Sequence, residues 1–299
     1  VSEIIARMSP AGGISDANPN AQRGIAMNGL GNTTTGTWQY TLNNGSSWAP
    51  IAVTGNSNAL LLAADANTRI RYVPQVGYLG TPVFAFVAWD RTAGVNGGTA
   101  NVVSRGGSTP FSLVYETAAI RVDNVAPILS DAGTPTLDPI PQNVNDVYNH
   151  GTLVSDVIAR MGSAGGITDV GSDPLGIAIN GLGNTANGTW QYTLNNGALW
   201  TSINVTGNSN ALLLAADPNT RIRYVPQIGY LGTAIFSFVA WDRTSGVNGG
   251  AADVTQRGGT TPFSLAYETA SISINNAAPL LNNAGTPTLD PIPMNIYGI

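Results

Sequence analysis

The chain has no cysteine, so no disulfide staples it, and neither thiol catalysis nor a cysteine-ligated metal is open to it. It has no lysine either: all twelve basic residues are arginine. That removes lysine Schiff-base chemistry and Lys–Asn isopeptide cross-links. Histidine occurs once, at His150, so Ser–His–Asp and Cys–His machinery and histidine-rich zinc sites are short of parts. Charged residues make up only 10% of the chain and the net charge is −5, which speaks against nucleic acid as a partner. No apolar stretch approaches the ~20 residues of a membrane-spanning helix, and no signal-peptide pattern is visible.

What is present is present twice. Trp38 and Trp190 open identical TWQYTLNNG blocks, Asp65 and Asp217 close identical LLLAAD blocks, and Trp89 and Trp241 sit in identical AWDRT blocks, each pair 152 positions apart. Most positions from Gly24 to Pro141 are identical to those from Gly176 to Pro293, and a one-residue slip upstream aligns Val1 with Val154. A period of this length is a whole domain rather than a solenoid turn, and tandem copies of one domain set distance, valency or stiffness. The boundaries read as a first repeat over 1–127 lacking its opening strand, a second over 128–280, and a segment 281–299 that starts a third repeat or forms a tail. Copy one has no counterpart of Pro135 to Gly151, whereas LDPIPMNIYGI (Leu289 to Ile299) matches LDPIPQNVNDV (Leu137 to Val147). The expectation is that a matching segment from outside fills the gap, either from chain preceding Val1 or from the tail of another molecule.

The local patterns are those of an all-β protein. Trp38, Tyr40 and Leu42 alternate with Gln39 and Thr41, the period of a half-buried strand, before an Asn-Asn-Gly turn. Val83 to Trp89 is apolar on both faces, with Phe84 and Phe86 on one and Val83, Val87 and Trp89 on the other, as in a central strand covered on both sides. Further strands are expected at Gly24 to Gly29, Ala59 to Ala63, Arg69 to Val73 and Ala118 to Val122, and again in copy two. Thr152 to Met161 suits a short helix or a strand. Seven or more short strands per copy, separated by turns, predict a β-sandwich, with a Pro- and Gly-containing linker around Val125 to Thr136.

The run from I-(S/T)-D through GIAxNG, GTWQYTLNNG, ALLLAAD, TRIRYVP, GYLGT and FxAWDRTxG to the APxL linker resembles the cadherin-like, immunoglobulin-type repeats of large bacterial cell-surface adhesins. The resemblance covers nearly the whole chain. It implies two tandem immunoglobulin/cadherin-like β-sandwich domains, extracellular and strung in arrays that are commonly calcium-dependent. Calcium takes six to eight oxygen ligands, which short loops of Asp and Asn provide. Asp16, Asn18 and Asn20 have that spacing in copy one, and Asp169 and Asp173 in copy two. The resemblance implies that these loops meet Asp90 and Asp242, at the ends of the penultimate strands, and the linker residues Asp123 and Asn124, at the junction between domains. The linker VDNVAP is poorer in acidic residues than the family's pattern, and its second copy is NNAAP, so the site carries less charge.

Each of these residues also has a plainer reading. Asp and Asn at loop tips cap backbone N–H groups. Arg69 and Arg71 share one strand face as a solvated or ion-paired edge, or as a contact for an anionic partner or glycan. Most aromatics are core, and only Trp48, Trp200, Tyr78 and Tyr230, near turns, are candidates for carbohydrate. Asn32, Asn187 and Asn204 begin N-glycosylation patterns. The expected function is a structural, non-enzymatic link in an extracellular adhesin or surface filament, joined end to end with neighbouring repeats or identical subunits. The alternative is a carbohydrate-binding sandwich that recognises surface glycans. No convincing pair of carboxylates suggests a hydrolase.

Overall fold

Strands form where β-branched and aromatic residues cluster between Asn- and Gly-rich turns. The computed structural model describes all residues except 9–12, 19–20, 54, 163–164, 171–174, 280, 282–284, 286, 292–293 and 295–299. Copy one opens with a short helix α1 (Ser2–Arg7) and continues through β1 (Gly24–Leu30), β2 (Gly36–Thr41), β3 (Ala49–Pro50), β4 (Ala59–Ala63), β5 (Arg69–Pro74), β6 (Val83–Trp89), β7 (Thr99–Ala100) and β8 (Phe111–Ala119). These make a five-stranded sheet in the order β7-β4-β1-β6-β8 and a three-stranded sheet in the order β3-β2-β5. All their pairings are antiparallel. The side chains packed together between the sheets include Ile25, Met27, Trp38, Leu60, Leu62, Tyr72, Phe84 and Phe86, which makes the copy a β-sandwich.

The chain then adds β9 (Ile128–Ser130), β10 (Ile140–Pro141), β11 (Thr152–Leu153), a helix α2 (Val154–Ala159) and β12 (Gly166–Thr168). Copy two follows with β13 (Gly176–Leu182), β14 (Gly188–Thr193), β15 (Thr201–Ser202), β16 (Ala211–Ala215), β17 (Arg221–Pro226), β18 (Gly232–Trp241), β19 (Ala251–Ala252) and β20 (Phe263–Asn275). Its sheets are those of copy one with one strand added to each: β10-β20-β18-β13-β16-β19 and β11-β17-β14-β15. β10 lies parallel to β20, β11 antiparallel to β17, and β9 pairs with β12. The core of copy two draws on Leu129, Leu137 and Ile140 from the stretch between the copies. Among the described residues no buried residue is shared between the core clusters of the two copies.

The two-faced central strand is real. Phe84 and Phe86 point into the inter-sheet core, while Val87 and Trp89 join Ala26, Leu61, Val102 and Phe111 in a second cluster on the outer face of the larger sheet. Loop residues close over that outer cluster, and the Trp89 indole N–H donates to the Ala93 carbonyl at 2.8 Å. Val83 differs from expectation: it is exposed, because the covered patch ends before the strand does. Alternation also fails at Thr41, which is buried while Leu42 is exposed. The chain is already turning there, and the Thr41 hydroxyl accepts from the N–H groups of Asn43 and Gly45 and donates to Asn43 Oδ1. The strand expected at Ala118 to Val122 runs instead over Phe111–Ala119, with Val122 forming only an isolated bridge to Gly80. In copy two the corresponding segment stays a strand to Asn275, where β10 pairs along its outer edge. Thr152 to Met161 proves to be both alternatives in turn, two strand residues and then a helix.

Candidate functional site

The place where the repeats meet brings together several of the residues singled out in the sequence. Asp242 directly follows β18 and is fully buried. Its Oδ1 accepts from the backbone N–H and the hydroxyl of Thr244, at 2.8 and 2.7 Å. Its Oδ2 accepts from Asn124 Nδ2 in the linker at 2.7 Å, and the same amide donates to the Thr261 carbonyl at 3.0 Å. Two residues on, the Ala126 N–H donates to the Gly259 carbonyl at 2.9 Å. The linker is therefore pinned to the base of the following repeat by one side-chain amide and one backbone N–H. Two neutral donors serve one oxygen of the carboxylate and a third serves the other, which is how a buried charge is made tolerable.

Asp169 belongs to the same region, lining a cleft of about 340 Å³ with Asp123, Asn124, Tyr78 and Val170. Asp123 itself is taken by Arg121, its neighbour two positions back on the chain, in a close ion pair. In copy one Asp16 and Asp90 line a cleft of about 320 Å³ together with Arg23, Gly107 and Thr109. Asp16 accepts from the Asn18 N–H at 2.8 Å, and Asp90 Oδ1 accepts from the N–H and hydroxyl of Thr92 at 2.8 and 2.6 Å. Asn20 and Asp173 lie outside the described residues. Among the described residues no three acidic or histidine side chains converge as metal ligands.

The oxygens at the joint do not fit a cation as they stand. The Asn124 amide presents its N–H₂ to both Asp242 and the Thr261 carbonyl, so a donor occupies the place an oxygen ligand would need. The copy-one cleft holds Asp16, Asp90 and Arg23 along one lining.

The aromatics considered for carbohydrate are engaged. The Arg71 guanidinium lies 4.1 Å from the centre of the Trp48 ring and Arg223 lies 4.2 Å from that of Trp200. The hydroxyls of Tyr78 and Tyr230 accept from Asn32 and Asn184. Arg69 and Arg71 donate to Asn44 and Gln39, as an edge bonded to its own neighbours. In copy two burial lowers the pKa of Arg223, partly countered by Asp146. Burial, with a smaller contribution from Tyr230, pushes the Tyr224 phenol up to about 12.

Sequence reasoning missed the carbonyls of Gly259 and Thr261 as partners of the linker. Their only signal was the repeated RGG(S/T)TPF block, which carries no ligand chemistry of its own. It also missed Asn248, whose Oδ1 accepts from the Ala215 N–H and whose amide donates to Asp217 and Thr220. Asn96 repeats that knot in copy one. No family model and no curated protein matches this chain. No helix among the described residues is long and apolar enough to cross a membrane.

Proposed function

We propose that the chain is a structural link of an extracellular bacterial adhesin or cell-surface filament, a non-enzymatic module that works by fixing each repeat onto the next. The observation that carries this reading is the joint: Asn124 and Ala126 of the linker bond to Asp242, Thr261 and Gly259 of the following repeat. A flexible tether would not need a buried carboxylate satisfied from the preceding repeat. Glycan binding is less well supported, because the four aromatics available for stacking are covered by arginines or held by asparagines.

Calcium belongs to this proposal in a restricted form, as a weak ligand of the Asp16 and Asp90 cleft. With a dissociation constant of about 1 mM, 10 mM calcium would stabilise copy one by about 1.4 kcal/mol through mass action. Thermal unfolding with calcium against chelator reads this directly, and identical midpoints at 10 mM would remove calcium from the reading. The spacer role is tested by small-angle scattering of the two-repeat chain beside the Asn124→Ala variant, together with a glycan array. A single end-to-end distance that broadens in the variant, with no glycan bound, is the expected result. A broad distribution in both proteins would overturn the role.

A further inference from the structure

Each copy ties two of its loops together through one asparagine. In copy one Asp65 and Thr68 lie in the loop between β4 and β5, and Asn96 lies in the loop between β6 and β7. Asn96 Nδ2 donates to Thr68 Oγ1 at 2.8 Å and to Asp65 Oδ2 at 3.3 Å, while Asn96 Oδ1 accepts from the Ala63 N–H at 2.9 Å. Copy two repeats the set. Asn248 Nδ2 donates to Thr220 Oγ1 at 2.8 Å and to Asp217 Oδ2 at 3.1 Å, and its Oδ1 accepts from the Ala215 N–H at 2.9 Å. Thr68 and Thr220 are 1% and 0% exposed, so both hydroxyls are shut off from water.

These are the parts of an acyl transfer. The carboxamide carbon is an electrophile, and a backbone N–H already bonds to the oxygen on which negative charge would develop. A hydroxyl stands beside it as nucleophile. Its oxygen is 2.8 Å from Nδ2. Across a C–N bond of ~1.33 Å that puts it within about 4 Å of the amide carbon, near the ~3–3.5 Å of an attacking pair. Turning the hydroxyl from the amide N–H onto the face of the carbonyl closes the rest. One carboxylate touches both ends of the proton's path, since Asp65 bonds to the Thr68 hydroxyl and to the Asn96 nitrogen. Burial acts to raise the Asp65 pKa, but bonds from the hydroxyl and N–H of Thr68 and the N–H of Asn67, with Arg91, hold it below its ordinary value. Asp65 is therefore ionised and able to accept a proton at neutral pH.

We propose that each copy closes an intramolecular ester, between Thr68 and Asn96 in the first and between Thr220 and Asn248 in the second. The Thr68 Oγ1–H bond breaks and its proton passes to Asp65 as Oγ1 bonds to Asn96 Cγ, and the amide oxygen takes the charge against the Ala63 N–H. The Cγ–Nδ2 bond then breaks, and the nitrogen leaves as ammonia with the proton returned by Asp65. One amide and one hydroxyl become one ester and one ammonia, with no oxidant, cofactor or water consumed. The competing attack on the same carbon, by the nitrogen of the following glycine to give a succinimide, is held off. The Gly97 and Gly249 N–H groups donate to the Leu61 and Leu213 carbonyls at 2.8 and 2.7 Å. A chain without cysteine or lysine thereby gains a covalent staple that needs neither, joining residues 28 apart in each copy.

The deciding measurement is the mass of the whole chain, held folded at neutral pH until that mass is constant and then denatured. It should be lighter than the sequence by one ammonia per copy. Trypsin, cutting after arginine, should give 24–69 joined to 92–105 and 161–221 joined to 244–257, and mild alkali should part each pair. Thr68→Val should leave a single ammonia loss and only the copy-two pair joined. Asp65→Asn should do the same with the hydroxyl still in place. Should either variant fail to fold, the unsubstituted chain and its peptides still decide the matter. A mass equal to that of the sequence, ammonia lost with the peptides separate, or copy-one peptides still joined in Asp65→Asn would each overturn the proposal.

Discussion

Replacing Asn124 by alanine should destabilise copy two and leave copy one untouched, and the repeated sequence supplies its own control. The Asp242 carboxylate is fully buried and accepts from Thr244 twice and from Asn124 once. Removing the amide strips Oδ2 of its donor and frees the Thr261 carbonyl. A hydrogen bond to a charged group contributes about 1.5–3 kcal/mol and an ordinary one about 1 kcal/mol. Water entering the space left behind recovers part of this, so the net loss should be about 2–3 kcal/mol. For a unit of roughly 150 residues that lowers the midpoint by about 4–12 °C.

Asp90 has the same two bonds to Thr92, and among the described residues no linker amide donates to it, so Asp90→Ala should cost only about 1 kcal/mol, the value of its turn. The decisive measurement is a pair of double-mutant cycles in the intact chain, with hydrogen exchange reporting each copy by its own peptides. Asn124→Ala and Asp242→Ala should couple by about 1.5–3 kcal/mol. Asn124→Ala and Asp90→Ala should be additive within about 0.5 kcal/mol. Coupling to Asp242 below that additivity limit would show that the linker rests on the repeat without holding it, and the argument for a fixed joint would fail.

Three further outcomes follow from the packing. A Cβ on Gly188 would stand 2.5 Å from the Tyr224 ring and 2.5 Å from the Val225 carbonyl, so Gly188→Ala should destabilise copy two by about 1–3 kcal/mol through overpacking; thermal unfolding reads it, and Gly36→Ala should do the same in copy one. Arg223 donates to Gln191 and to the carbonyls of Asp146 and Asn149 while covering Trp200, whereas Arg71 has only Gln39 and Trp48. Arg223→Ala should therefore cost about 2–3 kcal/mol and Arg71→Ala under about 1 kcal/mol in urea unfolding. Burial alone would raise the pKa of Asp65, but hydrogen bonds from Thr68 and Asn67, with a contribution from Arg91, outweigh it and leave the carboxyl below its ordinary value. A depressed carboxyl stabilises the fold above its unfolded pKa of about 3.9 and loses that effect as the pH falls through the folded value. Asp65→Asn should accordingly flatten the acid limb of the stability profile below about pH 4.

The strands that were legible in the sequence are those whose partners lie within the repeat. Trp38, Phe84 and Phe86 meet across one core, and the period of the chain around them announces it. The joint was half legible: Asn124 and Asp242 stand out as oxygen-bearing residues in repeated motifs, and they do meet. What the motifs do not encode is direction. Asn124 reaches forward to Asp242 rather than back to the Asp90 of its own copy, a choice fixed by the path of the linker and by Ala126 pairing with Gly259. Asp123 is taken instead by Arg121, two residues back along the chain. β10 was invisible for a different reason. Pro139 and Pro141 flank Ile140, and proline reads as a break in any strand pattern, yet at a sheet edge it is tolerated because no further strand needs its missing N–H. The same prolines that hid the strand make it a fitting last strand for its sheet.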